Sequence, residues 1–170
     1  MLELYVMRHA KSSWDNLKLT DYDRPLSNKG KKNAKKICEF FVKKQIKFDL
    51  VLVSSSKRTK KTLKILQKKL EKPKKIITTK TLYLANENKI SLEIKKIKED
   101  FKKVLLINHE PAVTNLVSYL VKNKENNLFK LMKYKFPTAA FAKIVFNLDK
   151  WSQINDSTGL LKNFIRPKDI

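Results

Sequence analysis

The 170-residue chain has a single cysteine, Cys38, so no disulfide framework can hold it, and a reducing cytoplasm is the expected compartment. Long apolar runs are missing as well: nothing approaches the roughly 20 residues that span a bilayer. The opening "MLELYVMR" meets an arginine too soon to serve as the apolar region of a signal peptide. Acids are few, 16 against 39 basic residues, leaving a net charge of +23. Such an excess suits nucleic acid, whose phosphates lysine arrays neutralise. Yet the lysines are scattered through almost every segment. No aromatic-interleaved basic stretch and no zinc-finger spacing accompanies them, and they read as a solvated surface. Neither nucleic acid nor membrane is expected as a partner.

Arginine and histidine are scarce too. Only Arg8, Arg24, Arg58 and Arg166 break the lysine pattern, and only His9 and His109 occur. Where arginine persists against such a bias, its rigid fork of donors is the property required, as in bidentate recognition of phosphate or carboxylate.

What is present is ordinary for a globular chain: 42% hydrophobic and 32% charged residues, enough for one domain over 1–170 with a real core. Buried strands are expected at "LELYVM" (2–7), "FDLVLVSSS" (48–56) and "KVLLINHEP" (103–111), with a weaker one in "KKIITTKTLY". Helical spacing marks 27–44, capped by Ser27 or Asn28, then 57–70, 88–101 and "AVTNLVSYLVK". The tail predicts paired strands at 139–148 and 150–156, a turn at Gly159 and a last strand, "LLKNFI". Alternating elements of this kind predict a three-layer α/β/α sandwich with a mainly parallel central sheet, whose ligands bind at the carboxyl ends of the strands.

Three strand ends carry the scarce residues: Arg8-His9, then Ser54 through Arg58, then His109. Taken singly, His9 reads as a core histidine, Arg58 as decoration of a helix and His109 as a helix cap. Together they are hard to attribute to chance. A histidine nitrogen can attack phosphorus and hold the phosphoryl group covalently. Two arginines can neutralise its oxygens, and a second histidine can donate to them. A metal would use the histidine pair differently, but no "HExxH" or carboxylate cluster accompanies it. No metal or organic cofactor is expected.

With these motifs in view, the chain resembles the histidine phosphatase superfamily, the phosphoglycerate-mutase-like group, and within it the small SixA-like phosphohistidine phosphatases. "VMRHAKSSW" matches the opening motif. The resemblance implies His9 as the phosphorylated nucleophile, Arg8 as a phosphate ligand and Ser12 among the substrate contacts. "DYDRPLSNKG" matches the segment leading into the first helix, with Arg24 at the pocket mouth and a reason for Gly30. "VLVSSSKRTKKT" supplies the second phosphate arginine, Arg58, and Thr62 at the usual threonine position. "LLINHEPAV" makes His109 the other pocket histidine, and "FPTAAFAKIVF" with Trp151 resembles the closing strands. Two departures stand out. Ala10 replaces the glycine usual after the nucleophile. Where many relatives carry an acid, "LYLAN" offers Leu84, Ala85 and Asn86, with Glu87, Glu110 and Asp15 nearby.

An alkoxide leaving group needs a proton, whereas an imidazole already protonated on its far nitrogen departs as a neutral molecule. The missing acid and the short chain therefore predict a phosphatase for phosphohistidine on proteins. The alternatives are a phosphatase of small phosphoesters and a basic binding module that has lost catalysis.

Overall fold

The computed structural model describes residues 1–170. Six strands form one sheet: β1 (Leu2–Arg8), β2 (Leu50–Ser54), β3 (Lys75–Thr79), β4 (Lys103–Asn108), β5 (Phe141–Phe146) and β6 (Gly159–Ile165). Their spatial order is β3-β2-β4-β1-β5-β6. The first four run parallel, while β5 and β6 add an antiparallel hairpin at one edge. Five helices cover the sheet: α1 (Asn28–Lys43), α2 (Lys57–Leu66), α3 (Glu87–Lys95), α4 (Ala112–Leu120) and α5 (Asn127–Tyr134). None is long and apolar enough to cross a membrane.

Strand periodicity divides the core in two. Leu2, Leu4 and Val6 of β1 point to one face, where they join Ile90 and Ile94 of α3, Leu116 of α4 and Met132 of α5. Tyr5 and Met7 point to the other, packing with Ile37 and Phe41 of α1 and Leu63 and Leu66 of α2. Burial on both faces is why the central strands are apolar at nearly every position. This is the three-layer architecture expected.

Several boundaries differ from expectation. Helix α2 ends at Leu66 and not at 70, because the chain loosens into overlapping turns ahead of Pro73. Helix α3 stops at Lys95, and 96–101 turns so that the Phe101 carbonyl accepts from the Trp151 indole N–H. The expected strand at 150–156 does not exist. Trp151 is fully buried against Phe146, and drawing its indole inward curls Trp151–Gln153 into a 3-10 turn, closed by the Lys150 N–H on the Gln153 side chain. Gly159 is not a turn residue but the first of β6. A side chain there would run into Ile144 and Phe146.

Gly30 has a different task. It sits in the first turn of α1, where the Ser27 hydroxyl accepts from its N–H at 3.0 Å. A Cβ at this position would collide with the backbone of Lys11, in the loop that follows β1. The same Lys11 carbonyl accepts from both the N–H and the hydroxyl of Ser27. The missing side chain thus lets α1 dock on the loop that shapes the site. Gly30→Ala is expected to destabilise the protein by about 1–3 kcal/mol, the usual result of overpacking against unyielding backbone. Thermal and urea unfolding check this, and an unchanged midpoint would show that the loop can give way.

Candidate active site

β1 and β4 pair in register, with Arg8 opposite Asn108. The next residue of each strand, His9 and His109, therefore leaves the sheet side by side, and their ring centroids lie 5.2 Å apart. β2 pairs on the other side of β4, which brings the Ser54 hydroxyl to 2.9 Å from His109 Nε2. Arg58 follows one turn later, in the first turn of α2. The sheet topology thus gathers three segments distant in sequence at one end.

Local hydrogen bonds set the orientation of each group. His9 Nδ1–H donates to the Ala10 carbonyl at 2.7 Å, which leaves Nε2 as the unprotonated nitrogen, and its lone pair accepts from Arg58 Nε–H at 3.3 Å. The Thr62 hydroxyl accepts from the Ala10 N–H and donates to the Arg58 carbonyl, fastening the loop after β1 to α2. Arg8 Nη1 donates to the Phe136 carbonyl at 2.8 Å. Burial pushes the His9 pKa down to about 3, with His109, Arg58 and Arg8 adding repulsion against the Ala10 hydrogen bond. His109 is brought down to about 4, chiefly by desolvation and then by Arg58. Both rings are accordingly neutral at physiological pH, and His9 has an unprotonated Nε2.

These residues open into a cleft of about 590 Å³ whose wall includes Arg8, His9, Ser12, Arg24, Arg58 and His109. Arg166 also lines it, so all four arginines of the chain converge on one cavity. Glu110 is the only acidic side chain on that wall. Arg8 Nε and His109 Nδ1 are buried without a hydrogen-bond partner. Donors left unsatisfied in this way mark where an oxyanion belongs.

Asp21, which the sequence reading passed over, organises the arginines. Its carbonyl accepts from Arg58 Nη1 at 2.6 Å, and its carboxylate accepts from Arg58 Nη2, Arg24 Nη2 and the Tyr83 hydroxyl. Desolvation pulls its pKa up, but the hydrogen bonds from Tyr83 and Arg58 outweigh it and hold the carboxyl at about 2. The only hint in the sequence was an acid three residues before an arginine, in a chain poor in both.

The acid candidates separate clearly. Leu84 is exposed, Ala85 is buried and Asn86 caps α3 through the Lys89 N–H. Glu87 and Asp15 lie outside the cleft wall. Glu110 is on it, but its carboxylate accepts from the Thr114 N–H and hydroxyl at the start of α4. No group of three or more His, Cys, Asp or Glu side chains stands together to hold a metal.

Residues 4–83, which carry most of β1 with Arg8, His9, Arg24 and Arg58, match the model of the histidine phosphatase superfamily, branch 1. An uncharacterized chloroplastic protein of Arabidopsis thaliana is 41% identical over 68 residues, which is 40% of this chain and 31% of that protein. An uncharacterized protein of Mycobacterium leprae is 28% identical over 95% of this chain and all of its own length. Among solved structures, the protein histidine phosphatase SixA in complex with tungstate superposes with a TM-score of 0.81 over 99% of both chains, at 22% identity.

Proposed function

We propose that this chain, whose residues 4–83 match the model of the histidine phosphatase superfamily, is a phosphatase whose His9 Nε2 takes the phosphoryl group from its substrate, most favourably from phosphohistidine on a protein. The observation that carries this reading is the tautomer of His9. Its Nδ1 proton is held by the Ala10 carbonyl, so the lone pair that faces Arg58 and the cleft belongs to Nε2. In this reading residues 1–170 act as one cytoplasmic domain, and Arg24 and Ser12 contribute to the substrate cleft.

The chemistry is in two steps. In the first, the Nε2 lone pair forms a bond to phosphorus as the bond from phosphorus to the leaving nitrogen breaks, and that nitrogen keeps the electron pair. Arg8, Arg58 and His109 Nδ1–H donate to the phosphoryl oxygens as charge spreads over them. His109 can do this while neutral, because Ser54 satisfies its Nε2. In the second step water attacks phospho-His9. The Nε2–P bond breaks with its electrons returning to the ring, and phosphate leaves with the oxygen and both protons of the water.

The Glu110 oxygens are already engaged as acceptors, so no carboxylic acid stands ready to protonate an alkoxide. Turnover should then follow the ability of the leaving group to depart unaided. Phosphohistidine and aryl phosphates are expected to be hydrolysed much faster than sugar phosphates. Glu110→Gln and Glu87→Gln should each change the phosphohistidine rate by less than the 10²–10⁴-fold typical of a general acid. Steady-state rates on these three substrate classes test the reading. Because Glu110 is on the cleft wall, a small-phosphoester phosphatase is the second reading. A loss of that size for Glu110→Gln, together with rapid sugar-phosphate hydrolysis, would favour it.

A further inference from the structure

Trp14 is 65% exposed, an uncommon setting for so large an apolar side chain. It is nonetheless held. The guanidinium carbon of Arg24 lies 3.6 Å from the centroid of the indole ring. Arg24 is itself 8% exposed and fixed at Nη2 by the Asp21 carboxylate, at 2.9 Å. Its Nε and Nη1 are buried with no hydrogen-bond partner, so the Asp21 contact is what fixes the guanidinium against the ring. One face of the indole therefore rests on a buried cation, a contact favourable in itself.

Two further observations give the ring a use. Trp14 is the only aromatic side chain on the cleft wall besides His9 and His109. It also shares one frame with the phosphoryl pocket, since the Asp21 carboxylate that holds Arg24 also holds Arg58, which reaches His9 Nε2. A leaving group departs on the side of phosphorus opposite the attacking nitrogen, and so toward the open part of the cleft.

Resting on the phosphatase reading above, we propose that Trp14 is a stacking platform for a planar, ring-bearing leaving group, and that with Arg24 beneath it this residue sets the preference for phosphohistidine. A ring is bound there before and during transfer alike, so the platform acts on affinity and not on the chemical step.

The test compares wild type, Trp14→Ala and Trp14→Phe on phosphohistidine and on phosphoramidate, which has the same P–N bond and no ring. Binding of phenylphosphonate and methylphosphonate to the same proteins supplies a readout independent of turnover. Trp14→Ala is expected to raise KM for phosphohistidine and Kd for phenylphosphonate by about three- to tenfold, the range of an aromatic stacking contact. The kcat on phosphohistidine should hold, the constants for the two ringless compounds should move by less than about twofold, and Trp14→Phe should restore most of the loss. An equal loss on ringed and ringless compounds, or no loss on either, overturns the platform while leaving the phosphatase reading intact. Wild-type protein that neither binds a phosphonate nor turns over any substrate would overturn that reading, and the platform with it.

Discussion

His9→Ala is expected to lower kcat on an aryl phosphate by at least about 10⁵-fold, the scale on which removal of a covalent nucleophile is felt. What remains would be the electrostatic help of Arg8, Arg58 and His109 to a direct attack by water. The fold should survive. The His9 ring lies beyond the end of β1, and its polar contacts are with Ala10 and Arg58, not with the apolar residues beneath it. The melting temperature should therefore stay within a few degrees of wild type. Brief reaction of wild type with a labelled phosphoryl donor, followed by quenching, should leave acid-labile, alkali-stable label on His9. Label on Ser54 or Ser55, or near-normal turnover by the alanine variant, would rule out the histidine mechanism.

Arg58→Lys should lower kcat/KM by about 10²–10³-fold, as loss of a preorganised donor to a developing oxyanion commonly does. The arginine uses its whole fork: Nη1 and Nη2 on the carbonyl and carboxylate of Asp21, and Nε toward His9. A lysine keeps the charge, but a single ammonium cannot hold Asp21 and meet a phosphoryl oxygen along the direction that Nε now takes. Lys11→Ala makes the control, since Lys11 is an exposed cation on the same cleft wall. It should cost less than about threefold, in line with the small effect of a screened surface charge. Comparable losses in the two variants would mean that the cleft needs only positive charge.

Much of the architecture was legible because the chain is plain where it is buried. β1, β2 and β4 are apolar at nearly every position, and strands of that kind belong to a sheet covered on both faces. Helix α5 escaped notice because Leu128, Phe129 and Leu131 are only partly buried and lie among lysines. Trp151 misled for the opposite reason. Its neighbours alternate like a strand, and only the distant Phe101 carbonyl explains the turn. In the site, scarcity singled out Arg8, Arg24 and Arg58, and the fold brings all three to one cleft wall. The same logic applied to Arg166, but no motif surrounds it, and its place on the cleft wall depends on where β6 ends. Asp21 was harder still, since its partners Arg58 and Tyr83 come from segments far along the chain.

The position of β1 has a consequence for when this protein can work. Strand β1 is central in the sheet but precedes both its neighbours in the chain by a long way: Glu3 lies opposite Lys103 on one side, and Leu2 opposite Phe146 on the other. A nascent chain emerging in order has nothing to pair β1 with until most of its length has been synthesised. Contacts of such sequence separation also close slowly. His9 can be translated, modified or bound by a chaperone long before His109 stands beside it. Activity should thus appear late and all at once with the closing of the sheet, because a half-folded chain has His9 without the second histidine that completes its cleft.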